Sequence, residues 1–147
     1  MKKVVTKVEK EAPQIDYLYS KNLEWISEIE FIKIEQKFFK ELLSDHVMEL
    51  CSSNNFTKAT MLLRGIGHEQ LLGEKLIKSI KKNQINLSLL KENLFLNKEK
   101  KIRNEQNSLE DEVKNYLDNY KYIKKEVFTL ILFIMKKERK QKLLAKE

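Results

Sequence analysis

Three glycines and one proline are all the turn-forming backbone that this chain of 147 residues has. A fold of many strands needs frequent reversals. Reversals draw on glycine for positive φ and on proline for a preset φ. Few turns mean few elements, and long ones. Leu, Lys, Glu and Ile fill most of the remaining positions, and 41% hydrophobic residues can supply one core. A chain of this length suits a single domain. The expected fold is all-α: three long antiparallel helices in an up-down-up bundle with coiled-coil-like packing.

The apolar spacing locates the helices. From about Asp16 to Cys51 one seam runs through Leu18, Asn22, Trp25, Ile29, Ile32, Gln36, Phe39, Leu43, His46 and Leu50. Steps of three and four place such residues on one helical face. A second row, Leu23, Ile26, Ile34, Phe38 and Leu42, widens the stripe, so this helix is expected to touch more than one neighbour. Ser52-Ser53-Asn54-Asn55 ends it, with side-chain oxygens able to cap the next helix. The second helix is expected from about Phe56 to Lys101, with Ile66, Gln70, Gly73, Ile77, Ile80, Gln84, Leu87, Leu90 and Leu94 inside. Ser108, followed by Glu110, Asp111 and Glu112, resembles a helix start, because a hydroxyl and acids suit the positive end. The third seam is Leu109, Val113, Tyr116, Tyr120, Ile123, Val127, Leu130 and Ile134, and the last turns are expected to fray. The predicted helices thus span about 16–51, 56–101 and 108–144, within one domain over 14–147. Residues 1–13 are expected to form a flexible N-terminal arm.

All three glycines, Gly65, Gly67 and Gly73, fall in the second helix. Each costs roughly 1 kcal/mol there relative to alanine. Either bulky neighbours pack closely against them, or the helix breaks near Gly65–Gly67.

Charge and cysteine usage narrow the functional classes. The net charge of +7 invites a partner that is a nucleic acid or an anionic surface. Against this, acids are interleaved with the bases, and Arg64, Arg103 and Arg139 are the only arginines. Forked phosphate and base contacts favour arginine. Cys51 is the single cysteine, so no intrachain disulfide forms, which fits a reducing compartment. The start, Met1-Lys2-Lys3-Val4-Val5, has no apolar run behind it, so no signal peptide is expected. The longest apolar stretch, Val127 to Met135, rises only about 13 Å as a helix, against a hydrocarbon core of roughly 30 Å. The expectation is a cytoplasmic protein with no membrane span.

No residue pattern predicts an active site or cofactor. Di-iron bundles need Glu-x-x-His pairs, and the chain has none. His46-x-x-Glu49 has the reverse order, and His46 and His68 are the only histidines. A metal shared by these two is not expected. Cys51 is the one candidate thiol. GxSxG, a phosphate-binding glycine loop and CxxC are all missing. The expectation is that the protein is not an enzyme and binds no metal or cofactor. His46, Asn22, Gln36, Gln70 and Gln84 read as polar core residues that fix register.

Two surfaces remain. Val127–Met135 is apolar on every side, and two neighbouring helices cannot cover a helix all round. Exposed together, Phe128, Leu132 and Phe133 would form an adhesive patch. In the expected bundle this stretch lies beside Phe38–Leu43 and faces Leu72–Ile80. The expected cover is a second copy of the chain, as a homodimer of six helices or a swapped bundle, or else another helical protein. The N-terminal arm or the C-terminal tail is the alternative cover. Trp25, Phe31, Phe128, Leu132 and Phe133 are the expected anchors, since large buried aromatics dominate interface energies. The function that follows is that of an interaction or scaffold protein. The alternative is a weak binder of nucleic acid or anionic surfaces through Lys136, Lys137, Arg139, Lys140 and Lys142. No aromatic residues for base stacking are interleaved with these or with the Lys98–Arg103 run.

Overall fold

The structure, a computed structural model, describes residues 13–146. Apart from Pro13, the expected N-terminal arm lies outside the described residues. Four α-helices run Ile15–Asp45 (α1), Val47–Ser52 (α2), Phe56–Lys91 (α3) and Glu99–Ala145 (α4), with a 3₁₀ turn at Leu96–Lys98 leading into α4. No strand occurs among the described residues. The protein is all-α, and α1, α3 and α4 pack together.

Cross-helix pairs give the register. Asp16 meets Lys91, Asn22 meets Gln84 and Lys40 meets Gln70, so numbers fall along α3 as they rise along α1. Asn83 meets Gln106, Gly73 meets Tyr116 and Lys58 meets Glu126, which gives the same reversed sense between α3 and α4. Across α1 and α4, Glu35 accepts hydrogen bonds from Tyr120 Oη at 2.8 Å and Lys124 Nζ at 2.9 Å.

The first and third seams lie in the core. Each of their residues is buried except His46 and Ile123, which are half-buried. The second row of the first helix follows only in part: Ile26 and Leu42 are half-buried against the core. Leu23, Ile34 and Phe38 are exposed, because α3 and α4 occupy only the flanks next to the main seam. In α3, Glu69 takes the interior position beside a half-buried Gln70, and Leu94 is exposed in a turn.

Several expected boundaries need correction. α3 ends at Lys91, and α4 begins at Glu99, so Ser108 is an exposed residue well inside a helix rather than its cap. The reversal is made by Asn93 in the left-handed region (φ 63°). The Leu94 N–H donates to Leu89 O at 2.8 Å, and the Asn93 N–H to Leu90 O at 2.9 Å. That pair of bonds is a Schellman closure, with asparagine in the place glycine usually fills. Phe95, also left-handed (φ 59°), completes the turn. The earlier turn also moves the level of Val127–Met135. Gly65 approaches Ile123 and Lys58 pairs with Glu126, so this stretch lies level with the first turns of α3, not opposite Leu72–Ile80. At the other reversal, Ser52 and Ser53 donate to Glu49 O and Leu50 O. They close the helix behind them, and Asn55 makes no side-chain cap. The first helix is interrupted at His46 and does not run unbroken to Cys51.

The glycines sit in an unbroken helix. A Cβ on Gly73 would lie 2.8 Å from Tyr116 Oη and 3.3 Å from Ile29 Cγ2, so this glycine admits a tyrosine into the core. At Gly65 the same atom would be in ordinary contact with Ile123, and at Gly67 nothing lies within 4 Å.

A polar layer crosses the bundle. Asn22 Nδ2 donates to Gln84 Oε1 at 2.8 Å, and Gln106 Nε2 donates to Asn22 Oδ1 at 2.6 Å. Asn83 Nδ2 donates to Gln106 Oε1 at 3.0 Å, and Gln84 Nε2 to Tyr19 O at 3.1 Å. All four side chains are buried. The layer divides the apolar interior. On one side lie Leu18, Leu87, Leu90 and Ile102, and on the other the larger cluster from Trp25 to Ile134. Gln106 belongs to a stretch read from the sequence as a connection, so its place in this layer was not foreseen.

Candidate interaction surface

α1 and α4 each lie along α3 and leave a groove between themselves. Its floor and walls include Trp25, Ile32, Val113 and Leu117. Glu28, Glu35, Glu110 and Asp118 stand on its rim beside Lys114, Lys121 and Lys124. Glu35 is held by Tyr120 and Lys124, as described above, so part of the rim is pinned. Burial, the hydrogen bond to Glu35 and that residue's negative charge all push the Tyr120 hydroxyl up from its ordinary range.

The groove continues as an apolar strip. Phe31, Ile34 and Phe38 share one face of α1 at steps of three and four, and are 61%, 68% and 55% exposed. On α4, Phe128, Leu132 and Met135 take up the strip where the α1 row ends, and are about half exposed. The Phe128 ring meets Phe39 edge-on at 5.3 Å between centroids, and Phe39 lies 5.9 Å from Phe38. Val127, Leu130, Ile131 and Ile134 point inward, so half of the apolar stretch is core and half is surface.

The expected anchors are therefore divided. Phe31, Phe128 and Leu132 border one strip. Trp25 is only 6% exposed and belongs to the core, with just enough surface to line the groove. Phe133, about half exposed, follows Leu132 by one residue and so points about 100° away around α4, off this strip. Ile34, Phe38 and Met135 were not among the anchors expected. Their 3-4 spacing was visible, but the spacing does not say which flank of a helix its neighbours cover.

No family model, curated protein or solved structure matches this chain. The surface must therefore be judged on its own chemistry.

The basic runs sit at opposite ends of α4. That helix has 47 residues, about 70 Å at a rise of ~1.5 Å each. Lys136, Arg139, Lys140 and Lys142 are exposed, Lys137 is half-buried, and every side chain from Arg139 to Lys146 is exposed. The helix thus continues to Ala145 without core contacts over its last turns. At the far end, Lys98 Nζ lies 5.0 Å from the centre of the Phe95 ring, and both line a hollow with Lys82 and Lys101. Phe95 precedes the Lys98–Arg103 run, so no aromatic is interleaved within the run itself, but its ring stands beside the first base in space. No helix among the described residues is long and apolar enough to cross a membrane.

Inside the bundle, a second polar layer joins Gln36, Glu69 and Tyr116. Gln36 Nε2 donates to Tyr116 Oη at 3.4 Å, while Gln36 Oε1 and Glu69 Oε1 have no hydrogen-bond partner. Burial pushes the Glu69 carboxyl above its ordinary range, with neighbouring His68 acting in the opposite sense. Burial also pushes Tyr116 up to about 12, opposed by the Gln36 hydrogen bond and reinforced by the Glu69 charge. Cys51 is exposed at the end of α2.

Proposed function

We propose that this chain is a non-enzymatic interaction or scaffold protein, an up-down-up bundle with coiled-coil-like packing that pairs with a second copy of itself along the α1–α4 groove. The observation that carries the proposal is the run of exposed apolar side chains, Phe31, Ile34 and Phe38 on α1 and, further along the molecule, Phe128, Leu132 and Met135 on α4. Their area fits a pair. An aromatic side chain can bury about 150–250 Å², so six large side chains at half exposure offer roughly 400–600 Å². A standard interface takes about 800 Å² from each partner. The groove floor and its rim supply the remainder.

A second copy also fits the charges. The rim carries four acids and three lysines close together, so two copies related by a two-fold axis can set the acids of one against the lysines of the other. Such pairing is isologous, with the same patch used twice.

Light scattering coupled to size exclusion tests the reading. The expected result is twice the chain mass, unchanged between low and high salt, because an apolar interface responds weakly to ionic strength. Phe38→Glu combined with Phe128→Glu should yield a monomer. Leu71→Glu, at an exposed apolar position of α3, should leave the pair intact. A parent chain that is monomeric at micromolar concentration overturns the reading. A mass or binding signal that falls steeply with salt would instead favour an anionic partner at Lys136, Lys137, Arg139, Lys140 and Lys142.

A further inference from the structure

α1 stops at Asp45 and α2 starts at Val47 with neither proline nor glycine between them. The break is His46 (φ −107°, ψ 22°), whose N–H reaches Leu43 O at 3.3 Å, three residues back rather than four. This break brings the imidazole up to α4. Nδ1 lies 4.0 Å from Glu49 Oε2, one turn onward in α2, and 4.0 Å from Glu138 Oε2 on α4. The Nδ1 atom is buried and has no hydrogen-bond partner. The ligand atoms of all three residues lie within 4.8 Å of one another, the one such group of three among the described residues.

A buried polar atom without a partner costs free energy. Here the unsatisfied nitrogen faces two carboxylates across gaps too long for hydrogen bonds. A cation held between them would take up the Nδ1 lone pair of the Nε2–H tautomer and both carboxylates at once. We propose that His46, Glu49 and Glu138 form a binding site for a divalent transition-metal cation, with zinc as the probe.

The distances suit that occupant. Zinc binds imidazole nitrogen and carboxylate oxygen at about 2.0–2.2 Å, which sets neighbouring ligands of a tetrahedron roughly 3.4 Å apart. Each 4.0 Å gap must therefore close by about 0.6 Å, a small rotation for a half-exposed glutamate. One nitrogen with two carboxylates favours a transition metal over magnesium or calcium, which take oxygen ligands. The fourth position is left to water. Arg139 and Lys142 line the same hollow as Glu138, and their positive charges oppose a cation nearby, so binding is weaker than in a closed four-ligand site. A bound cation would clamp the break between α1 and α2 to the end of α4. A motif search misses the site because one ligand comes from a distant helix.

The full chain, stripped of metal with chelator and dialysed, is titrated with zinc chloride by calorimetry and with cobalt(II) by visible absorption. The expected result is one equivalent bound, cobalt d–d bands and a higher Tm with zinc. His46→Gln and Glu138→Gln should each weaken zinc binding by more than the roughly 10-fold that loss of a supporting hydrogen bond costs. His68→Gln should not change it. Glu138 lies at the surface, so its variant keeps the fold even if the His46 variant does not, and circular dichroism checks both. Absence of zinc uptake by the parent chain overturns the proposal, as does uptake that survives Glu138→Gln. Either result would leave the three side chains as a cross-helix polar contact with no ion.

Discussion

Glu69 is one acid that the bundle takes inside, and its position has a measurable pH signature. Its carboxyl is buried, one oxygen lacks a partner, and its pKa is raised from the ordinary 4.5. The folded state therefore holds this proton more tightly than the unfolded chain. The resulting stabilisation is complete below about pH 4.5 and is lost as pH rises through the higher folded value. Glu69→Gln removes that dependence. The urea midpoint of the variant should gain on the parent between pH 4.5 and neutral, and a pH-independent difference would contradict the assignment. The tyrosines report from the other end of the scale. Tyr116 and Tyr120 are both raised by burial, so they should stay protonated as pH passes 10, until the chain unfolds. Ultraviolet titration of the folded protein and of a urea-unfolded sample would show the difference.

At the scale of the helix, the glycines separate two effects that the sequence could not. Gly73→Ala places a Cβ 2.8 Å from Tyr116 Oη and must displace a buried ring, so it should lower the thermal midpoint. Gly67→Ala meets nothing and should stabilise by about 1 kcal/mol, the helix-propensity difference. Equal effects from the two substitutions would remove the close-packing account of Gly73. The helical seams were legible because burial on one face enforces a 3-4 period that no other element shares. The reversal at 92–98 was not. Asn93 does the work of a glycine, and a polar stretch that continues as helix resembles a polar loop. Placing the turn too late hid Ile102 and Gln106 and shifted the register of the third seam. The exposed apolar strip was only half legible. The spacing identified Phe31, Phe128 and Leu132, but it could not show that α3 and α4 leave Ile34 and Phe38 uncovered. The His46–Glu138 contact depends on that tertiary register and has no local signal at all.

For the whole molecule, the polar layer of Asn22, Asn83, Gln84 and Gln106 sets a division of stability. Four buried apolar side chains lie on the turn side and twenty on the other. Local opening costs least where few apolar contacts are lost. Native-state hydrogen exchange should therefore show weaker protection in Ile15–Leu18 and Leu87–Ile102 than in the middle of α3 and α4, and uniform protection would argue against the division. The layer works as a bulkhead between a small compartment and a large one. A protease that cuts in the 92–98 turn enters the small compartment alone. The two pieces it leaves should stay together through the large one, so this single chain ought to be rebuildable from a hairpin and a separate helix.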